Sequence, residues 1–489
     1  MEVSAGVDAV TVATEPAVSA PAESPGRASP ARSVGDGTGR AVGRPEWRDQ
    51  ALSSSTRLVV SLLIGAQIVA VIVFGCITIM RYPLWSAVDE GAHFDNIAYI
   101  AEHGSYPVLG KAPATDQELA IGQGIYPAHT TIDARTFGLG GLSYEAFQPP
   151  LYYYVASPVF FLAGNYHTKA ILLRFFGLVL LLLAIALLAR LSRHVLRKRW
   201  LLGLAGGLLV FLMPGVLVRM VTIADVNLAV PIAILVVTEL WIARERQSSR
   251  RLLLCGLLVG LGVLTDLYLA DLIPVFVLVA ATILWRHRTR RDLVQATAGG
   301  ALAVLVVLPW LVFNEVKYHA LTASALAKNE QLAIVNPTHA HYSLSQAPGL
   351  TVQTLFQPLM PQEWGGAIVG HNLLTYGADL FQILLVPAAL VLGLALGRRL
   401  VTSGYWLLVL PWVCNIALCW YIDVGQQWES GAMVGRYTYP TLTILGLFVV
   451  AAVTMLFRRV RPLLITMAVS SVFLVILWVH LVPTISHSA

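Results

Sequence analysis

The stretch LVVSLLIGAQIVAVIVFGCITIM, residues 58–80, is the first apolar run of the chain and decides its fold class. It is 23 residues long and carries no charged side chain. A helix that crosses the hydrocarbon core needs about 20 mostly apolar residues, because that core is roughly 30 Å thick and each residue rises about 1.5 Å. The run predicts a retained transmembrane helix, since it starts too late and is too long for a cleaved secretory signal.

The whole chain shares this apolar composition. Of its 489 residues, 57% are hydrophobic and only 12% are charged, whereas about one quarter are charged in soluble domains. All four cysteines fall inside apolar runs, where they behave as small hydrophobes, so no disulfide framework is expected. The runs predict an all-α polytopic membrane protein with about eleven transmembrane helices, near 58–80, 171–190, 201–221, 226–243, 252–268, 271–285, 293–313, 376–396, 404–422, 438–456 and 462–483.

The basic residues indicate the topology. They cluster in short loops between the apolar runs, so the net charge of +6 does not point to a nucleic-acid surface. We expect a plasma membrane protein in which residues 1–56 form a disordered cytoplasmic tail. Every dense basic cluster then lies on the cytoplasmic side, provided that segment 150–163 does not cross the membrane. Its three tyrosines and Pro158 favour an interfacial helix instead. The transmembrane domain is then 57–485, with external loops at 81–170, 314–375 and 423–437.

The first external loop carries the most polar helical pattern. Asp89 and His93 are four residues apart and Asn96 follows three later, so their side chains share one helical face. A carboxylate, an imidazole and an amide would then point into one cavity. The alternative stays open: Asp89 and Glu90 also suit the positive end of a helix dipole, with His93 merely solvated.

Further acids lie at the predicted outer ends of later spans. Asp225 and Asn227 lie near the outer ends of the third and fourth runs, and Asp266 and Asp271 flank the next outer turn. A carboxylate near a helix end inside a membrane is costly and is therefore a candidate for function. A cap of the following helix explains Asp225 nearly as well.

Arg436 is the only arginine in the last external loop, next to Tyr437. Its guanidinium suits a phosphate, although a structural ion pair with Glu429 or with one of the acids named above is the alternative. The loop histidines His339, His341 and His371 do not have the spacing of a zinc motif. No metal site is predicted, the cofactor is unknown, and the sequence leaves open whether a divalent metal takes part.

Three motifs of the first loop resemble those of the GT-C superfamily of membrane glycosyltransferases, which contains protein O-mannosyltransferases and aminoarabinose transferases. They are Asp89-Glu90-Gly-Ala-His93, Glu102-His-Gly-Ser-Tyr-Pro107 and Phe147-Gln148-Pro149-Pro150-Leu151-Tyr152-Tyr153. The segments 214–225 and 435–440 also resemble a bacterial branch of this superfamily. The resemblance extends over roughly residues 55–480 and implies a GT-C-like fold with interfacial helices in the first external loop.

The resemblance implies transfer of a sugar from a polyprenyl-phosphate donor to an acceptor hydroxyl on the outer face of the membrane. Asp89 would be the general base, with Glu90 as its catalytic neighbour. Gln148 and Asp266 stand where the family often has lysines, which shifts phosphate binding toward Arg436. The full set expected to bind donor phosphate or substrate is Arg436, His93, Gln148, Tyr152, Tyr437, Asp225, Asn227 and Asp266.

The expected partners are the polyprenyl-phosphate-linked sugar, an envelope glycan, lipid or protein acceptor, and membrane lipids, with no nucleic acid. The alternative is a transporter or flippase of lipid-linked glycans or other solutes, because intramembrane acids also line transport paths. The large first external loop and the lack of repeated halves favour the transferase.

Overall fold

The computed structural model describes residues 51–82, 84–85, 89–109, 145–322, 373–421, 435–457 and 460–487. These residues belong to one unit, Arg44–Ala489. Within these ranges the regular structure is helical and contains no strand. The α-helices are α1 Ser54–Arg81, α2 Glu90–His103, α3 Leu151–Phe160, α4 Tyr166–Leu196, α5 Trp200–Phe211, α6 Pro214–Val221, α7 Val226–Arg246, α8 Arg251–Val263, α9 Leu272–His287, α10 Arg290–Tyr318, α11 Leu373–Leu396, α12 Arg398–Ser403, α13 Trp406–Trp420, α14 Tyr439–Leu456 and α15 Arg461–His487.

Seven helical stretches of the described chain are long and apolar enough to cross a membrane. They are Ser54–Arg81, Tyr166–Phe211, Val226–Arg246, Leu267–His287, Arg290–Tyr318, Tyr439–Leu456 and Arg461–Pro483, and three shorter apolar helices accompany them. The all-α, multi-pass membrane fold is thereby confirmed. The number of eleven spans stays a prediction, partly because the 46-residue stretch Tyr166–Phe211 runs through the predicted boundary between two spans.

Two predicted spans are interrupted. The span predicted at 201–221 is divided between α5 and α6, because Pro214 begins α6 and has no N–H with which to continue α5. The break frees the carbonyl of Leu212, which accepts a hydrogen bond of 2.8 Å from the Trp478 indole of α15. The span predicted at 252–268 ends at Val263.

The N-terminal boundary lies slightly earlier than predicted. Ser53 caps α1 by accepting a hydrogen bond from the backbone N–H of Thr56, so α1 begins at Ser54, within the predicted tail 1–56. Residues 1–50 of that tail lie outside the described residues, as do 110–144, 323–372 and 423–434 of the predicted external loops.

Helices α7 and α14 form the centre of the bundle. In their most apolar windows 83% and 78% of the residues are buried, against 22% in α10. The exposed apolar side chains of α1, α10 and α15 form the perimeter, as expected for a bundle surrounded by lipid. Close contact between α8 and α10 depends on Gly256, because a Cβ there would lie 1.9 Å from the carbonyl oxygen of Gly299.

Helix α3 is too short to cross a membrane. Its 10 residues span about 15 Å at the helical rise of about 1.5 Å per residue, which agrees with the prediction that segment 150–163 does not span. Tyr152, Tyr153 and Phe160 bury one face of α3 against α2 and α4. This packing places the start of α3 beside the first turn of α2.

Candidate active site

A buried ion pair fixes the start of α2. Arg174 of α4 donates from Nε to Glu90 Oε1 at 2.7 Å and from Nη2 to Glu90 Oε2 at 2.6 Å. The backbone N–H groups of Trp85 and Ile223 donate to the same carboxylate at 3.0 and 3.1 Å. Both carboxylate oxygens are therefore engaged, and Glu90 is fully buried.

The same arginine also binds the end of α1. Arg174 Nη1 donates to the carbonyl of Tyr82 at 2.6 Å and approaches that of Ile79 at 3.4 Å. One ion pair thus joins α1, α2, α4 and the segment after α6. Glu90, which we expected to act beside Asp89 in catalysis, does not line the cavity described below, because its carboxylate points into this network instead.

Asp89 itself has a different environment. Its backbone is left-handed, with φ of 64° and ψ of 4°, a conformation that aspartate tolerates better than most residues. Its side chain makes no capping hydrogen bond to α2, although it occupies the N-cap position. The carboxylate is partly exposed and faces a cavity.

That cavity collects polar side chains from separate parts of the chain. They come from the start of α2, the segment before α3, α6, the start of α7 and the 3-10 helices Leu267–Asp271 and Gly435–Thr438. The lining residues are Asp89, His93, Glu145, Gln148, Arg219, Asp225, Val226, Asp266, Tyr268 and Tyr437. Six of the ten site residues expected from the sequence therefore meet here.

Of the other expected residues, those whose side chains the structure describes lie outside the cavity. Tyr152 is buried between α3 and its neighbours, and Asn227 donates to the carbonyl of Thr222 at 2.6 Å, holding the turn before α7. Asp271 is buried but does not line the cavity. The side chain of Arg436 lies outside the described residues, although its neighbour Tyr437 is a lining residue.

Arg219 is the functional candidate that the sequence analysis missed. It lies on α6, lines the cavity and places Nη2 3.4 Å from Nε2 of His93. The signal was present, because an ionisable side chain inside an apolar run is by itself a candidate for function. It is the one arginine among the described lining residues.

His93 is held from two sides. Its Nδ1 lies 2.9 Å from the hydroxyl of Tyr153, and its Nε2 lies 3.9 Å from Oδ1 of Asp225. The Tyr153 ring stacks on the imidazole with a centroid distance of 5.9 Å. The imidazole is therefore fixed between α3, α6 and the start of α7.

Acidic side chains dominate the cavity. Asp225 and Asp266 are both helix caps and lining residues: Asp225 Oδ1 accepts from its neighbour Val226 at 2.8 Å, and Asp266 Oδ1 accepts from the N–H of Tyr268 at 2.9 Å. Burial, and then the nearby Asp225 carboxylate, raise the pKa of Asp266 to about 8. Asp266 is therefore largely neutral at neutral pH, so this pair carries less negative charge than two carboxylates.

Two tyrosines form one wall of the cavity. Tyr268 and Tyr437 stack nearly in parallel, with ring centroids 4.1 Å apart and an interplanar angle of 16°. Among the described residues no three His, Cys, Asp or Glu side chains are placed to hold a metal. His339, His341 and His371 lie outside the described residues.

The fold and this cavity define a multi-pass membrane protein with a carboxylate, an imidazole and a guanidinium at one polar site. Residues 147–313 match the protein family described as dolichyl-phosphate-mannose-protein mannosyltransferase. The matched segment runs from just before α3 into α10 and includes Gln148, Arg219, Asp225 and Asp266 of the cavity. The match covers 167 of the 489 residues, and its description agrees with the resemblance to membrane glycosyltransferases noted in the sequence.

Solved structures with similarity to the chain include the oligosaccharyltransferase of Archaeoglobus fulgidus in complex with zinc and sulfate, at 14% identity and a TM-score of 0.49, over 86% of this chain and 53% of that one. The chain thus spans about half the length of that enzyme. The ArnT of Cupriavidus metallidurans bound to undecaprenyl phosphate is 13% identical, with a TM-score of 0.37 over 83% of this chain and 79% of that one. No curated protein matches the chain.

Proposed function

We propose that the protein transfers a sugar from a polyprenyl-phosphate donor to an acceptor hydroxyl. The observation that carries this proposal is that Asp89 and Arg219, from α2 and α6, line one cavity. The matched family acts, by its description, on a lipid-phosphate-linked mannose. A carboxylate and a guanidinium at one site suit the two demands of such a reaction, which are proton removal and phosphate binding.

Asp89 acts as the general base. The acceptor oxygen attacks the anomeric carbon of the sugar, the bond between that carbon and the phosphate oxygen breaks, and the polyprenyl phosphate leaves as an anion. Asp89 takes the proton of the attacking hydroxyl. General-base assistance of this kind is worth about 10²- to 10⁴-fold. Because phosphate leaves already ionised, no strong acid is needed on the leaving side.

Arg219 holds the donor phosphate, and Arg436 is the second candidate for this role. Guanidinium groups bind phosphate oxygens through paired, charge-assisted hydrogen bonds. Gln148 and Asp266 stand where the family often has lysines, and Arg219 supplies a positive charge that these two positions lack. The raised pKa of Asp266 favours the same outcome, since a neutral Asp266 does not repel the phosphate.

The stacked pair of Tyr268 and Tyr437 forms a flat aromatic wall beside the acids. Aromatic faces pack well against the apolar faces of sugar rings, while neighbouring carboxylates and amides bind hydroxyls. We assign the sugar to this wall, between Asp89 and Gln148. The acceptor, an envelope glycan, lipid or protein, then approaches from the open side of the cavity.

The reaction takes place on the outer face of the plasma membrane, with the N-terminus in the cytoplasm. This placement is supported by the basic clusters, which fall on one side when segment 150–163 does not span. The 10-residue length of α3 agrees with that condition.

The test is transfer by purified protein in detergent, with radiolabelled polyprenyl-phosphate sugars and a cell-envelope extract. Asp89→Asn should lose transfer while keeping its folding and its lipid binding. Glu102→Gln is the matched control, since Glu102 is an exposed carboxylate on the same helix, where it accepts a hydrogen bond from Tyr166. Full transfer by Asp89→Asn contradicts the assignment of the base. Movement of the intact lipid-linked sugar across vesicles, without transfer, would instead show a flippase.

A further inference from the structure

The imidazole of His93 lies between a guanidinium and a carboxylate, and we propose that it is a positioning residue for Arg219 that responds to pH. Neutral His93 holds Arg219 for the donor phosphate, and protonated His93 turns to Asp225 and releases Arg219. This inference rests on the proposed function, because Arg219 matters here as the phosphate ligand.

An attractive contact between His93 and Arg219 requires one tautomer of the neutral imidazole. Nε2 lies 3.4 Å from Nη2 of Arg219 and 3.9 Å from Oδ1 of Asp225. A guanidinium nitrogen can only donate, so its contact with Nε2 is attractive only when Nε2 is unprotonated. The proton of neutral His93 is then on Nδ1, which donates to the hydroxyl oxygen of Tyr153 at 2.9 Å. Burial raises the pKa of Tyr153 well above its usual value, so that phenol stays neutral throughout.

Protonation reverses the preference of Nε2. Its new N–H faces the N–H groups of Arg219, and two positive charges then lie side by side. The Asp225 carboxylate is the acceptor within reach on the other side, so the imidazolium turns toward it. The groups that face His93 or share its cavity are Arg219 of α6, Asp225 at the start of α7, Tyr153 of α3, Asp89 before α2, Glu145 and Asp266.

The consequence is a donor affinity that falls in acid. Without the hydrogen bond from Nη2 to His93, the guanidinium loses one of the contacts that hold it at the cavity. Loss of one charge-assisted hydrogen bond to the phosphate corresponds to about a tenfold weaker affinity. The effect belongs in the donor KM and not in kcat, because Asp89, which removes the proton, is a separate group.

The probe is undecaprenyl methyl phosphate, a phosphodiester whose single negative charge does not change over this range. A phosphate monoester is unsuitable, because its second ionisation falls at about pH 6. Binding of this lipid to the full-length protein in detergent is measured at about pH 5.5 and about pH 7.5. The wild-type protein should bind about tenfold more weakly at the lower pH.

Two substitutions separate positioning from simple packing. His93→Gln places an amide oxygen near the position of Nε2, where it accepts from Arg219 but does not titrate, so this variant should bind tightly at both pH values. His93→Ala should bind weakly at both. The matched control is His103→Gln, since His103 is an exposed histidine of the same helix that contacts the carbonyl of Tyr99. It should keep the wild-type ratio.

The outcomes are distinct. A wild-type pH ratio in His93→Gln overturns the inference, as does wild-type affinity of His93→Ala at the higher pH. If the wild-type protein binds the probe with the expected ratio yet transfers no sugar from any lipid-linked donor, the proposed function fails while the positioning role stands. If the probe does not bind at either pH, the phosphate role of Arg219 and this inference fail together. Thermal unfolding of each variant shows whether a loss of binding comes from misfolding. If His93→Ala misfolds, the pH ratio of His93→Gln decides whether His93 positions Arg219.

Discussion

Removing the charge of Glu90 tests whether its ion pair with Arg174 organises the start of α2. Glu90→Gln keeps the shape of the side chain but leaves the guanidinium of Arg174, which is fully buried, without a counter-charge. Breaking a buried pair in this way costs about 3–5 kcal/mol. The four hydrogen bonds to Glu90, between 2.6 and 3.1 Å long, support that magnitude.

The assay is the free energy of unfolding in mixed detergent, with Glu245→Gln as the matched control. Glu245 pairs with Arg197 at 2.7 Å, but these side chains are 27% and 29% exposed. Partly exposed pairs contribute about 0.2–1 kcal/mol. Glu90→Gln should therefore be several times more destabilising than Glu245→Gln. Replacing Arg174 by Gln as well should restore part of the loss, because no buried charge then remains unpaired. Equal losses in Glu90→Gln and Glu245→Gln would refute the reasoning.

Three further predictions follow from the cavity and from the helix contacts. Arg219→Ala should raise the donor KM about 10- to 100-fold, the equivalent of one charge-assisted hydrogen bond of about 1.5–3 kcal/mol; an unchanged KM in steady-state assays would remove Arg219 from phosphate binding. Asp266 is neutral below its pKa of about 8 and negative above it, so the donor KM should rise through that pH in the wild-type protein and stay flat in Asp266→Asn. A rise that persists in the variant would assign it to another group. Gly256→Ala should lower the melting temperature in detergent, because its Cβ would lie 1.9 Å from the carbonyl oxygen of Gly299. Gly300→Ala should not lower it, because a Cβ there has no atom within 4 Å. Equal melting temperatures of the two variants would contradict the close contact of α8 and α10.

The helices of the bundle were predictable because lipid imposes a length and an apolar composition that a single sequence displays. Their interruptions were less predictable. Pro214 stands inside an otherwise continuous apolar run, and only the structure shows that α5 stops before it. Likewise, the outer turn between Asp266 and Asp271 was predicted, but the helix before it ends at Val263, earlier than the predicted span 252–268, and the Asp266 side chain caps the N–H of Tyr268.

The acids of the candidate site were recognised because a carboxylate at a membrane helix end is costly unless it has a use. The sequence did not show which of the adjacent acids Asp89 and Glu90 faces the cavity. The partner of Glu90 is Arg174, which lies 84 residues away in the sequence and looks like an isolated charge in an apolar run. Arg219 was missed for the same reason, since its partner His93 is 126 positions distant.

The break between α5 and α6 also has a meaning for the far end of the chain. The freed carbonyl of Leu212 accepts a hydrogen bond from the indole of Trp478, on the peripheral helix α15. A backbone carbonyl without a hydrogen bond is costly in lipid, so Trp478 stabilises the break between α5 and α6. Arg219 lies on α6, directly after this break. The C-terminal helix is therefore part of the site's scaffold, and shortened versions of the protein that end before Trp478 remove a support of the phosphate-binding arginine while leaving every lining residue in place.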